Sequence, residues 1–233
     1  MTKHMHLHDL TSASSTTSKI AENHSQINAN AADLQRMTDE AENQREQQYR
    51  ASSYSILAAL LRGVPSQEIL QHVAEFAKVE VDEDELLLSM STLGLAAKSS
   101  DVQAIDDEYH VLFIGLGKGE LVPYGSWYLT GYLMEQPLSL LRDDLKKLGM
   151  ERDAHVSEPE DHIAALCEVM SLLILDDVDL QQQTRFFEQH IEPWMGRFFA
   201  DLSNAKSAVF YRAVGRFGTA FYQLEKHYLA MPV

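Results

Sequence analysis

One cysteine, Cys167, stands in a chain of 233 residues. A single thiol excludes an intramolecular disulfide framework and any zinc site built on clustered thiolates. Basic residues are scarce: 19 Lys and Arg face 35 Asp and Glu, a formal net charge of −16. Such a chain repels a phosphate backbone, so nucleic-acid binding through a basic footprint is not expected. A cationic partner would be drawn in instead. No apolar run reaches the roughly 18 residues of a membrane span, so no stable membrane insertion is expected. The opening segment MTKHMHLHDLTSASSTTSKI has no apolar core behind its early lysine and no twin-arginine pair. It does not read as an export signal, and a cytoplasmic location is expected. With only six prolines and eleven glycines the chain is neither collagen-like nor of low complexity, and 45% hydrophobic residues exclude a wholly disordered one.

What is present is helical periodicity. Residues 1–45 are rich in Ser, Thr, Asn, Gln and Ala and read as a flexible polar tail, with helix near 31–45 at most. From Tyr49 apolar residues recur at three and four: Ser53, Ile56, Leu57, Leu60 and Leu61 share its face. Gly63 and Pro65 punctuate the end of that helix. Ser66 suits the cap of a second helix, carrying Ile69, Leu70, Val73, Phe76 and Ala77. Further helices are expected over 82–95, 100–113, 127–133, 137–148, 159–175, 180–202 with Pro193 as a kink or break, and 206–229. The three glycines and Pro123 of 114–126 mark a loop. Nothing alternates with period two, no repeat is visible, and heptads are not sustained. The expectation is an all-α protein of two helical halves. The tail is 1–45, the N-terminal half 46–149, the hinge 150–157 and the C-terminal half 158–233.

Several clusters carry candidate chemistry. His4, His6 and His8 alternate as a chelator would, but the tail offers no second shell, and no metal site is expected. Gly115, Gly117 and Gly119 follow an apolar run and suggest a phosphate-cradling loop. No P-loop lysine follows them, and no strand–loop–helix unit surrounds them, so a crossing that needs positive φ is the plainer reading. The densest polar cluster is Ser157-Glu158-Pro159-Glu160-Asp161-His162. Ser157 and Glu160 form a capping box with Pro159 in the first turn, which leaves Asp161 and His162 unexplained. Cys167 sits among apolar neighbours and reads as a buried, inert thiol. The aromatic clusters around Phe186, Trp194, Phe198, Phe210 and Phe221 read as core, or as an apolar groove for a partner peptide. No nucleophile elbow and no Ser-His-Asp order is present, so catalysis is not expected.

Two blocks, in order, resemble the TorD-like (TorD/DmsD) redox-enzyme maturation chaperones. The first runs from Glu108-Tyr109-His110-Val111-Leu112-Phe113 to Pro123-Tyr124-Gly125-Ser126-Trp127-Tyr128. The second is Glu158-Pro159-Glu160-Asp161-His162, followed by Glu168-Val169-Met170. The resemblance covers about 48–229 and omits the tail. It implies an all-helical cytoplasmic chaperone without turnover and without a cofactor of its own. Its partner would be the precursor or apo form of a molybdenum-dependent oxidoreductase, held at its twin-arginine signal peptide and kept ready for cofactor insertion before export. Asp161 and His162, with Glu158 and Pro159, would belong to the client-binding region at the hinge. Tyr109, Phe113, Pro123, Tyr124, Ser126 and Tyr128 would line or shape the adjoining loop. Gly125 departs from the pattern, because many relatives carry an acid before the serine.

The residues suit that assignment. A twin-arginine peptide needs carboxylates for its arginines and an apolar groove for the rest. Asp161 is the expected acceptor, with His162 orienting it or donating. Two other readings stand beside this one: a weak guanine- or adenine-nucleotide hydrolase using Gly115–Gly119, and a general helical adaptor. A hinged chain could also form a homodimer by exchanging its halves.

Overall fold

The computed structural model describes residues 11–81, 83–115, 118–153 and 155–231, with side chains from residue 33 onward. Ten α-helices are described: α1 Thr11–Leu61, α2 Gln67–Ala74, α3 Glu85–Ser99, α4 Val102–Tyr109, α5 Gly125–Thr130, α6 Gln136–Lys147, α7 Ile163–Leu175, α8 Leu180–Phe186, α9 Glu192–Asn204 and α10 Phe210–Leu229. A 3₁₀ turn, Glu75–Lys78, follows α2, and π-type turns, His110–Ile114 and Phe187–Ile191, follow α4 and α8. No strand occurs among the described residues, so the fold is all-α, as the periodicity indicated.

The chain forms two compact units, Met1–Gln47 and Gln48–Val233. The described part of the first is helix α1 as far as Gln47. The helix thus begins well before Tyr49. No Gly or Pro interrupts 11–61, and Ala, Gln, Glu and Arg there have good helix propensity. The second unit carries the core, and residues 150–157 run within it between α6 and α7.

Local signals set several boundaries. Ser66 Oγ accepts from Ile69 N at the start of α2, and Asp84 and Asp101 cap α3 and α4 in the same way. Pro193 lies at the first turn of α9, where its missing N–H is no loss. The helix expected over 180–202 is therefore α8, a π-type turn and α9.

The aromatic clusters are core. Phe210, Tyr211, Phe217 and Phe221 of α10 are buried, as are Trp194, Phe198 and Phe199 of α9. Tyr54 of α1 meets Phe221 edge-on at 4.7 Å. Leu57, Leu60 and Leu61 of the expected α1 face are buried, but its start is misplaced: Tyr49 is 70% exposed, whereas Arg50 is 1% exposed. Arg50 donates from Nε to Glu225 Oε1 at 2.6 Å and from a terminal nitrogen to Oε2 at 3.0 Å. It also donates to Gln183 Oε1 at 3.1 Å and lies 4.2 Å over the Tyr228 ring. A charge can be buried so deeply only because a carboxylate, an amide and an aromatic face all receive it.

Candidate functional site

The segment before α5 and the segment before α7 lie side by side. Tyr124 and His162 pair as an isolated antiparallel bridge. Gly125 N donates to Asp161 O at 2.9 Å, and Ile163 N donates to Pro123 O at 2.9 Å. Each segment supplies a helix cap. Asp161 Oδ2 accepts from Ser126 N at 2.7 Å in the first turn of α5. His162 Nδ1 accepts from Ala164 N at 3.1 Å and caps α7. A neutral imidazole that accepts at Nδ1 carries its proton on Nε2. Burial lowers the His162 pKa to about 4, against the pull of Glu158 and Asp161.

Around this bridge the residues of the two blocks converge. The Tyr124 hydroxyl donates to the Glu158 carboxylate, and the Tyr124 ring meets His162 edge-on at 5.0 Å. Burial first, and then the Glu158 contact, raises the Tyr124 pKa. Pro159 O accepts from His162 N at 3.1 Å. Ser126 is fully buried, and its Oγ accepts from Met134 N at 3.2 Å. Tyr128 turns toward α9: its hydroxyl donates to Asp201 at 3.0 Å and its ring lies 5.5 Å from Trp194. Tyr109 and Phe113 sit in the neighbouring core against Tyr211, at 5.9 and 5.4 Å. Burial, then the charge of Glu158, raises the Tyr109 hydroxyl pKa.

The expected capping box does not form. Helix α7 begins at Ile163, not near Pro159, and its cap is His162 instead of Ser157. Glu160 is drawn elsewhere. It pairs with Arg142 at 2.8 Å and with Arg152 at 3.6 Å. Arg152 also donates to the carbonyls of Ser157 and Glu158, at 3.3 and 3.1 Å. These two arginines hold 157–160 out of the helix and leave 161–162 free to pair with 124–125.

Asp161 lines a cleft of about 470 Å³ together with Gly125, Leu129, Pro137, Leu140 and Trp194. Its side chain is buried, yet Oδ1 has no hydrogen-bond partner among the described residues. Leu140 of this lining is 54% exposed. The departure at Gly125 has a steric counterpart. A Cβ there would lie 3.0 Å from Trp194 Nε1, so the indole occupies the space an acid would need.

Two carboxylates have structural roles to which no sequence pattern points. Glu108 accepts from the N–H groups of Val209, Phe210 and Tyr211, at 2.8, 2.9 and 2.7 Å, and so caps α10. Glu120 accepts from Lys206 and Ser207, at 2.6 and 3.1 Å. Neither has a local signal, because donor and acceptor are about a hundred residues apart in sequence. The glycines of this loop serve its tight return. Gly115 has φ +61°, and a Cβ on Gly119 would lie 2.5 Å from Leu112 O. Gly117 and the histidines at 4, 6 and 8 lie outside the described residues. Cys167 is fully buried, and burial raises its thiol pKa.

Residues 77–200 match the family model described as "Nitrate reductase delta subunit". The match covers over half of the chain, which therefore belongs to this family, the TorD-like redox-enzyme maturation chaperones. Among curated relatives, "Chaperone protein TorD" of Vibrio cholerae serotype O1 is 28% identical over 129 residues, 51% of this chain and 59% of that protein. The protein of the same description from Aliivibrio fischeri is 28% identical over 204 residues, 78% of this chain and 94% of that one. "Probable Tat proofreading chaperone DmsD" of Haemophilus influenzae is 31% identical over 114 residues, 48% and 55%. The chain spans 59% of the length of the Vibrio cholerae relative. No helix among the described residues is long and apolar enough to cross a membrane.

Proposed function

We propose that this protein is a cytoplasmic, system-specific chaperone without catalytic turnover. It binds the precursor or apo form of a molybdenum-dependent oxidoreductase at a twin-arginine signal peptide and assists maturation and cofactor insertion before export. The observation that carries this reading is Asp161: a buried carboxylate with one oxygen unpartnered among the described residues, at the wall of an apolar cleft. An unpaired buried anion is costly, and a guanidinium is the group that best relieves it. Leu129, Pro137, Leu140 and Trp194 offer the apolar surface that would take the rest of a leader. The net charge of −16 would speed the encounter with a cationic peptide. The chaperone names of the relatives support the class of partner.

The test is a titration with a synthetic peptide bearing two adjacent arginines and an apolar run. Wild type is expected to bind it, with affinity falling as salt rises. Asp161→Asn keeps an acceptor for Ser126 N and removes the charge. It is expected to weaken binding by about tenfold, the loss of one charge-assisted contact. A folded Asp161→Asn variant that binds as tightly as wild type would sink the assignment. Capture of a mature oxidoreductase without any leader binding would favour the adaptor reading.

A further inference from the structure

We propose that the client cleft continues past Asp144 into the groove between α6 and α8, and that Arg185 there receives a carboxylate of the bound peptide. This rests on the reading of the cleft as the client site. A second cavity, of about 190 Å³ and backed by Leu148 and Phe186, shares Asp144, Lys147, Arg185 and Gln189 with the first. It is the continuation of the same cleft.

The α8 wall of the continuation is a row of unused donors. Gln182, Arg185 and Gln189 recur at three and four residues, on one face of α8 and the turn after it. Between them Gln183 and Phe186 point inward, Gln183 toward Arg50. The side chains of Gln182, Arg185 and Gln189 make no hydrogen bond or ion pair among the described residues. Two other cations of α6 are matched. Lys147 pairs with Asp144 at 2.6 Å, and Arg142 pairs with Glu160 at 2.8 Å. Both oxygens of Asp144 are engaged, one by Lys147 and the other by His190 Nε2 at 2.9 Å, and no pairing with Arg185 occurs among the described residues. In a chain with so many acids, a cation left unmatched inside a cleft marks where an outside anion fits.

The chemistry of the occupant follows. Glutamine amides donate and accept, as an extended main chain requires, and a guanidinium takes a carboxylate through two parallel bonds. The first part of the cleft carries Asp161 and Asp143 among apolar walls, and its continuation carries two cations, Lys147 and Arg185, against one acid, Asp144. The cleft fits an extended peptide with arginines at one end of an apolar run and an acidic side chain beyond the other. Bound this way, the peptide has one favoured direction.

The test uses the intact protein and labelled, C-terminally amidated peptides: an arginine pair, an apolar run, and a single glutamate or glutamine placed at successive positions beyond it. One position is expected at which the glutamate peptide binds about fivefold tighter than its glutamine twin, the value of a partly exposed charge pair. Arg185 is solvent-exposed, so its variants keep the fold, and circular dichroism checks this. Arg185→Gln is expected to abolish the ratio, and Arg185→Glu to reverse it. A glutamate scan that is flat at every position in wild type overturns the proposal. If binding still falls in Asp161→Asn, the client reading survives that result. Failure of every peptide to bind overturns both.

Discussion

His162 gives the site a pH dependence whose sign is fixed. Its pKa in the folded protein is about 4, below the ordinary 6.5, because burial disfavours the imidazolium. The unfolded chain takes up that proton first. The stability this residue contributes is therefore complete above pH 6.5 and is lost progressively as the pH falls toward 4. The loss amounts to about 3 kcal/mol. Urea midpoints measured between neutral pH and pH 4 are expected to fall in wild type and to fall less in His162→Asn, which keeps a helix cap that cannot titrate. Arg50 is the second residue whose loss would be felt. Removing it strands Glu225 in the core, and Arg50→Ala is expected to cost about 3–5 kcal/mol in denaturant unfolding. Replacing both partners with apolar residues should recover most of that. Neither role could be read from the sequence. Arg50 lies beside Tyr49, the better apolar candidate, and its partner is 175 positions away. Asp161 and His162 were legible as residues that capping left unexplained and, by resemblance, as part of a client-binding region. That they would cap helices themselves depends on Arg142 and Arg152 pulling Glu160 away.

At the level of elements, the sequence was most informative where local chemistry decides. Ser66 caps α2 as expected, Asp84 caps α3 two residues after the expected start, Gly63 and Pro65 follow the end of α1, and Pro193 marks a break in the first turn of α9. It was least informative where a distant side chain decides. The last helix is expected from 206, yet α10 begins at Phe210: Glu120 collects the backbone donors of Lys206 and Ser207, and Glu108 those of Val209, Phe210 and Tyr211. Glu108→Ala would leave three donors of α10 without their carboxylate. The expected cost is about 1–2 kcal/mol. Hydrogen exchange should quicken at Phe210 and Tyr211, whereas Glu108→Gln, which keeps an acceptor, should show a smaller effect. The π-type turn Phe187–Ile191 is a further element no pattern announced. It places the His190 carbonyl where Trp194 Nε1 donates to it at 2.8 Å, and so fixes the indole that fills the space beside Gly125.

For the molecule as a whole, the all-α class was legible from periodicity alone, and the blocks that suggested the family do meet in space. A hinge at 150–157 and exchange of halves between copies remain proposals; the segment lies within one compact unit, Gln48–Val233. The charge has gained a location, since Asp161 lines the cleft and the unmatched Arg185 lines its continuation. The Arg50–Glu225 pair also bears on time. During synthesis Arg50 emerges early, and the carboxylate that allows it to be buried comes 175 residues later. Until α10 is made, the helices already released have a charge where their core should close, and their contacts with the missing partner are the slow, long-range kind. Closure of this core around Arg50 is therefore expected only late in synthesis, once α10 is available.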